Sequence, residues 1–191
     1  LVERRDFAAG TSSRSSKLIH GGLRYLQQGD VGLVREAATE RYVVRRLAPH
    51  LAQPVQMLFP LANRREYAKL SVGMWTFDRL AGVADKERHR LVTAEEALEI
   101  EPRLRREELY GAALHYEYVT DDARLVVEVI KSAAALGAVV ANHLEVVDFV
   151  TKNEKVVGVE ARDEYGEGEI EIRGRVVVNA AGPWVDRVRM L

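Results

Sequence analysis

Apolar positions along this chain follow two periods, and they divide it into alternating strands and helices. Leu1-Val2-Glu3 opens as a strand ending in a carboxylate. Over residues 31–47, Leu33, Val34, Ala37, Ala38, Val43, Val44 and Leu47 fall roughly on one side, with Arg35, Glu36, Glu40, Arg41 and Arg45 outside. That spacing predicts an amphipathic helix, which Pro49 stops. Glu36–Glu40 and Arg41–Arg45 are like-charge pairs four residues apart, so the apolar side has to hold the helix in place. Residues 54–62, a short apolar run between prolines, predict a strand. Residues 64–81 predict a helix that is apolar nearly all round, through Tyr67, Leu70, Val72, Met74, Trp75, Phe77 and Leu80. Such a helix is either core or, with Trp and Phe standing beside Arg and Lys, interfacial at a membrane surface.

Residues 93–101 begin with a capping-box pattern, Thr93 followed by Glu96. Residues 109–118 predict a strand with Leu114, Tyr116 and Tyr118 on one face and His115 and Glu117 on the other. His115 reads there as a half-exposed strand histidine rather than a catalytic base. A helix over 119–137 has Thr120, Asp121 and Asp122 as its cap and Gly137 as its left-handed stop. Val126, Val129, Ile130 and Ala133 define its buried side. Arg124 opposes the helix dipole in the first turn, which predicts a contact with a carboxylate or a substrate. Strands at 138–141, 144–151, 156–163 and 169–172, with turns at 153–154 and 166–168, predict an antiparallel meander. Val176, Val177 and Val178 read as the core of a buried parallel strand, followed by a tight turn at 180–183. Small residues at the C-terminal end of such a strand are where an open α/β sheet receives its ligand.

One stretch does not fit a core element. Residues 10–26, GTSSRSSKLIHGGLRYL, pack three Gly, five hydroxyls, Lys17, His20 and two Arg into seventeen positions. A backbone that wraps an anion needs these types: small residues for close approach, hydroxyls and amides for phosphate oxygens, and fixed cations nearby. Composition adds exclusions. A hydrophobic share of 47% and a charged share of 30% over 191 residues describe a globular chain with enough apolar material for a core. A net charge of −1 argues against a nucleic-acid partner bound by phosphate neutralisation. The chain has no Cys, hence no disulfide and no thiolate, which fits a reducing cytoplasm. It shows neither a run of about 18 apolar residues nor a signal peptide.

The run from Val2 to Leu26, VERRDFAAGTSSRSSKLIHGGLRYL, closely resembles the FAD-dependent, aerobic-type glycerol-3-phosphate dehydrogenases. In that family a strand ending in Glu precedes D-F-x-x-G-T-S-S and then S-K-L-I-H-G-G-L-R-Y-L. Two later stretches agree, VTDDARL at 119–125 and VNAAGPWVD at 178–186. The resemblance implies an α/β fold: part of a Rossmann-type FAD-binding domain at 1–47 and 119–191, with a substrate-side α+β segment at 48–118 and the meander. No G-x-G-x-x-G occurs in the chain. The family places that fingerprint just before the strand ending in Glu3, so the chain reads as an internal fragment.

The resemblance further implies that FAD is held by Glu3 at its ribose, with Thr11, Ser12, Ser13, Ser16, Lys17, Gly21, Gly22, Ala181 and Gly182 as further cofactor contacts. Arg24, Tyr25 and His20 are the expected catalytic and substrate-side groups. The implied reaction oxidises sn-glycerol 3-phosphate to dihydroxyacetone phosphate, with electrons passed to quinone or, in oxidase relatives, to oxygen. It places the protein in the cytoplasm, peripheral on the inner face of the cell membrane, and leaves the oligomer open, a homo-oligomer included. Two alternatives stay open. One is another flavoprotein of the same superfamily, of glycerol-3-phosphate oxidase or amino-acid oxidase type. The other is a fragment inactive by itself.

Overall fold

The computed structural model describes residues 1–21, 28–84, 87–166 and 168–191. They form an α/β fold of two units, one of Leu1–Ser15 with Asp121–Leu191 and one of Ser16–Thr120. The unit boundaries fall at 15/16 and 120/121, so the helix over 31–47 lies in the second unit rather than with residues 1–15.

In the second unit the sheet is built on β4 (Gly111–Val119). The strand β2 (Gln53–Leu61) pairs antiparallel with its whole length, from Gln53 opposite Val119 to Leu61 opposite Gly111. Its other edge is shared by β1 (Leu18–Ile19) and β3 (Arg90–Thr93), both antiparallel. The Thr120 amide donates to the Lys17 carbonyl, so even-numbered positions of β4 address the β1/β3 side and odd-numbered ones address β2. The register then turns the amide positions of residues 54, 56, 58 and 60 outward, which is where Pro54 and Pro60 cost no ladder bond.

Helices cover both faces of this sheet. Helix α2 (Arg64–Leu80) sets Met74 against Leu61 and Ala113, with Tyr67 and Leu70 packed round them. Helix α3 (Ala94–Ile100) sets Ala97 against Val92, Ala112 and Leu114. Its capping box closes as its sequence predicts: the Glu96 amide donates to Thr93 Oγ1 and the Thr93 amide to the Glu96 carboxylate. With strands on both edges and helices on both faces, β4 is buried on both sides, and His115 is buried rather than half-exposed.

Helix α1 (Val31–Leu47) also differs from its expected phase. Its inward residues are Val34, Ala38 and Arg41, with Val44 and Arg45 partly covered, while Leu47 is 80% exposed. The inward line follows the 3.6-residue period through two arginines, which the sequence pattern had placed in solvent. On α2, similarly, Met74 and Phe77 face in, whereas Val72 and Trp75 face out with the Arg79 guanidinium over the Trp75 ring.

In the first unit, α4 (Asp122–Ala135) has Asp121 as N-cap, its side chain accepting from the Arg124 amide, and Gly137 follows at φ +95°. Arg124 meets a carboxylate, Glu128, one turn on. Of its expected buried side, Val126, Ile130 and Ala133 are partly covered, whereas Val129 is exposed. Strands β5 (Leu144–Lys152), β6 (Lys155–Asp163) and β7 (Glu169–Arg173) form the expected antiparallel meander. Asn153 and Glu154, both at positive φ, make the two-residue turn between β5 and β6. The turn at 166–168 contains Glu167, which is outside the described residues.

The strand expected at 138–141 does not join the meander: with the strand expected at 1–3 it is reduced to one parallel bridge, Val2 with Ala141. Val176, Val177 and Val178 are not a strand; Val176 and Val178 are 77% and 78% exposed. A parallel strand needs partners along its edges, and the described residues supply none there. The turn after them forms as expected: Gly182–Trp184 is a 3-10 turn with Pro183 in its first positions, leading into α5 (Val185–Arg189).

Candidate functional site

The three stretches that carry the family resemblance are far apart in sequence, and the first unit brings together their residues 2–15, 121–125 and 178–186. Thr11–Ser13 coil into a single 3-10 turn after Gly10. A Cβ on Gly10 would sit 3.0 Å from the ring of Trp184, so this turn and the Gly182–Trp184 turn touch, and a side chain at position 10 would require the ring to shift by a few tenths of an ångström. From VTDDARL, the Asp122 carboxylate accepts from both the Ser15 amide (3.3 Å) and the Ser15 hydroxyl (2.6 Å). Asp122 is thus more than the helix-capping charge its position predicts. Asn179 braces the other side, donating to the Val185 carbonyl and accepting from the Ala181 amide.

The expected cofactor residues of this unit lie as follows. Glu3 ends the segment that bridges to Ala141, and its carboxylate accepts the Arg5 amide. Thr11 and Ser12 are exposed, and Ser13 donates to the Gly10 carbonyl. Ala181 and Gly182, the latter at φ +54°, form the turn after the valines. The donor chemistry fits a phosphate-bearing cofactor: hydroxyls and amides clustered on a tight turn, a basic Arg14 after it, and a carboxylate suited to sugar hydroxyls.

The remaining expected residues fall in the second unit. Ser16 and Lys17 are exposed there, Lys17 at φ +60°, and His20 is exposed. Gly21 is buried, and its amide donates to Glu117 Oε2 at 3.2 Å. Gly22, Arg24 and Tyr25 lie outside the described residues.

Around Gly21 the structure assembles a buried polar cluster that the sequence pattern did not announce. Glu117 is 7% exposed and Arg41 8%. Arg41 Nη1 lies 3.6 Å from Glu117 Oε2 and donates to the Tyr116 carbonyl at 3.4 Å. His115 Nε2 is 3.3 Å from Glu117 Oε1, and the His20 ring is 4.0 Å from the same oxygen. The one signal in the sequence was Glu117 itself, a carboxylate on a strand whose other residues are apolar or aromatic.

A second group adjoins the first. Tyr118 donates its phenol hydrogen to Glu87 and accepts from Arg45, and the guanidinium groups of Arg41 and Arg45 both lie over its ring. Burial pushes the Tyr118 phenol above its usual value, and the bond to Glu87 adds to this, while Arg45 and Arg41 pull the other way. A phenol with a raised folded-state pKa gives stability that is complete below its unfolded value, about 10, and is lost as pH rises through the folded value. Tyr118→Phe is therefore expected to cost about 1–2 kcal/mol at neutral pH. It should also flatten the fall in urea midpoint as pH rises above about 10. Equal slopes for the two proteins would refute this role.

The chain is similar to known proteins along its whole length. The family model described as FAD-dependent oxidoreductase (DAO) matches residues 1–191. The aerobic glycerol-3-phosphate dehydrogenase of Staphylococcus saprophyticus is 47% identical over 192 residues, covering 99% of this chain and 34% of the relative. That of Staphylococcus aureus is 46% identical over the same share. The crystal structure of glycerol-3-phosphate dehydrogenase from Bacillus halodurans complexed with FAD superposes with a TM-score of 0.75 at 39% identity, covering 100% of this chain and 30% of that one. Glycine oxidase from Geobacillus kaustophilus, at 24% identity and a TM-score of 0.67, covers 99% of this chain and 50% of its own and shares the fold. The chain thus spans about a third of the length of its curated relatives. Because the match runs unbroken from the Glu3 segment through the hydroxyl turn to the Gly182 turn, the chain belongs to the FAD-dependent oxidoreductase family.

Proposed function

We propose that this chain works as part of a longer flavoprotein that oxidises sn-glycerol 3-phosphate to dihydroxyacetone phosphate and passes the electrons to quinone. The observation that carries this is the 47% identity along the whole chain to an aerobic glycerol-3-phosphate dehydrogenase. The meeting of residues from the three motif stretches in one unit supports it. FAD, when bound, supplies the hydride acceptor. In the first unit the Thr11–Ser13 turn would hold the cofactor's phosphate, Glu3 its ribose, and Ala181 and Gly182 would admit it closely; Ser16, Lys17, Gly21 and Gly22 are the cofactor contacts that the resemblance adds from the rest of the run. Arg24 would grip the substrate phosphate through its planar fork, with Tyr25 as the second substrate-side group and His20, with Lys17, on the flavin side. Residues 48–118 form the substrate-side segment in this proposal. The amino-acid oxidase alternative has weaker support, because its relative shares the fold at 24% identity.

Anaerobic titration of the full-length, flavin-loaded protein with glycerol 3-phosphate tests the assignment. Bleaching of the oxidised flavin band by that substrate and not by glycine is the expected result; no bleaching would refute it. Reoxidation by a soluble quinone analogue under the same conditions tests the acceptor. No helix among the described residues is long and apolar enough to cross a membrane. Peripheral contact through the outward side of α2, where Val72 and Trp75 stand beside Arg79, belongs to the same proposal. Co-sedimentation with anionic vesicles that is lost on Trp75→Ser would support it, and no binding would end it.

A further inference from the structure

We infer that Glu117 is a positioning residue for the proposed reaction: from inside the sheet its carboxylate fixes the backbone at His20–Gly21, and Arg41 holds that carboxylate in place. The inference rests on the proposed function for the identity of the reaction, and on the second unit alone for its geometry.

A buried carboxylate is a costly way to fill space on a central strand, where valine or leucine would pack without desolvation. Glu117 is nonetheless surrounded by donors from three segments of chain. Gly21 comes from the stretch after β1, Arg41 from α1 and His115 from β4 itself. Oxygen Oε2 takes the Gly21 amide at 3.2 Å with Arg41 at 3.6 Å, and Oε1 takes His115 at 3.3 Å. The segment also presses on the ion pair: a Cβ at Gly21 would lie 2.5 Å from Arg41 Nη1 and 3.0 Å from Phe77. The backbone at Gly21 is therefore clamped by a hydrogen bond to one partner and by contact with the other.

Gly21 stands three residues before Arg24, in the run S-K-L-I-H-G-G-L-R-Y-L. An error of about 1 Å in placing a reacting group costs as much as 10²-fold in rate. A clamp on the chain just ahead of that group thus acts on turnover without touching substrate. An ion pair that only stabilises the fold would have no such effect.

The test uses the full-length, flavin-loaded enzyme and the double variant Arg41→Met/Glu117→Leu. Exchanging the whole buried ion pair for apolar side chains tends to preserve stability while removing the acceptor for the Gly21 amide. The expected result is a melting temperature and flavin content near wild type, with kcat for glycerol 3-phosphate lowered tenfold or more, KM little changed, and the visible circular dichroism of the bound flavin altered. Glu117→Gln, which keeps an acceptor oxygen, should recover most of the turnover. Normal kcat and unchanged flavin dichroism in the folded double variant would overturn the inference. If the double variant does not fold, Glu117→Asp decides: it keeps the charge but withdraws the acceptor by one methylene. Positioning then predicts reduced kcat at near-normal stability, and full activity overturns it. Should wild type not be reduced by glycerol 3-phosphate, the proposed function fails, while the flavin dichroism of the same variants still decides the role of Glu117.

Discussion

Arg41→Ala is expected to destabilise the unit of residues 16–120 by about 3–5 kcal/mol, the usual cost of removing one partner from a buried ion pair. The guanidinium is almost wholly covered, stands beside Glu117, bonds the Tyr116 carbonyl and lies over the Tyr118 ring. Alanine would leave the Glu117 carboxylate inside the protein with only a histidine ring and an amide for compensation. A typical domain has about 5–15 kcal/mol of stability in all, so this one change should bring the unit close to unfolding. Urea denaturation followed by far-ultraviolet circular dichroism measures it. The control is Arg46→Ala on the same helix, whose exposed side chain lies over the Tyr42 ring; its cost should stay within about 0.5 kcal/mol. A loss under about 1 kcal/mol for Arg41→Ala would mean that water reaches Glu117 in the folded state.

Arg24→Ala is expected to lower kcat/KM for glycerol 3-phosphate by about 10²-fold or more, roughly 2.7 kcal/mol of transition-state binding. Arg24 lies outside the described residues, and the expectation follows from its place after a Gly-Gly pair in the family run. An ammonium cannot reproduce the planar two-point grip of a guanidinium on phosphate, so Arg24→Lys should recover only part of the loss. Flavin content and melting temperature should stay normal in both variants. If Arg24 instead pairs with a nearby carboxylate for stability, the melting temperature would fall while kcat/KM per flavin-loaded molecule held. Full activity in Arg24→Ala would end the substrate-side assignment.

What the sequence made legible here was local. The capping box of Thr93 and Glu96, the cap at Asp121, the stop at Gly137 and the turn at Asn153-Glu154 are each encoded within a few residues, and each forms. The meander followed from alternation and turn residues alone. The misreadings arose where a residue's environment comes from distant chain. Arg41 looked like one of several surface charges, because the helix pattern records spacing and not what waits on the inward side. His115 looked half-exposed because a strand's own alternation does not reveal that helices cover both its faces. The valines at 176–178 carry a strong strand signal, but strand structure requires partners, and propensity cannot supply them. In the candidate site, the composition of residues 10–26 singled out the stretch that contains the Thr11–Ser13 turn. The bond from Ser15 to Asp122, more than a hundred residues away, had no local signature.

The two prolines of β2 bear on how this protein can assemble. An incoming strand that sought to extend the sheet would meet four outward positions, 54, 56, 58 and 60, and find donors missing at the first and the last. The opposite edge of β4 is divided between a two-residue and a four-residue strand, too short to template a long partner. Growth by strand addition, the route to domain swapping and to cross-β aggregation, is blunted on both sides of this sheet. Self-association of this unit would then run through side chains on its helices, where charge and shape choose the partner, rather than through a backbone edge that accepts any extended chain.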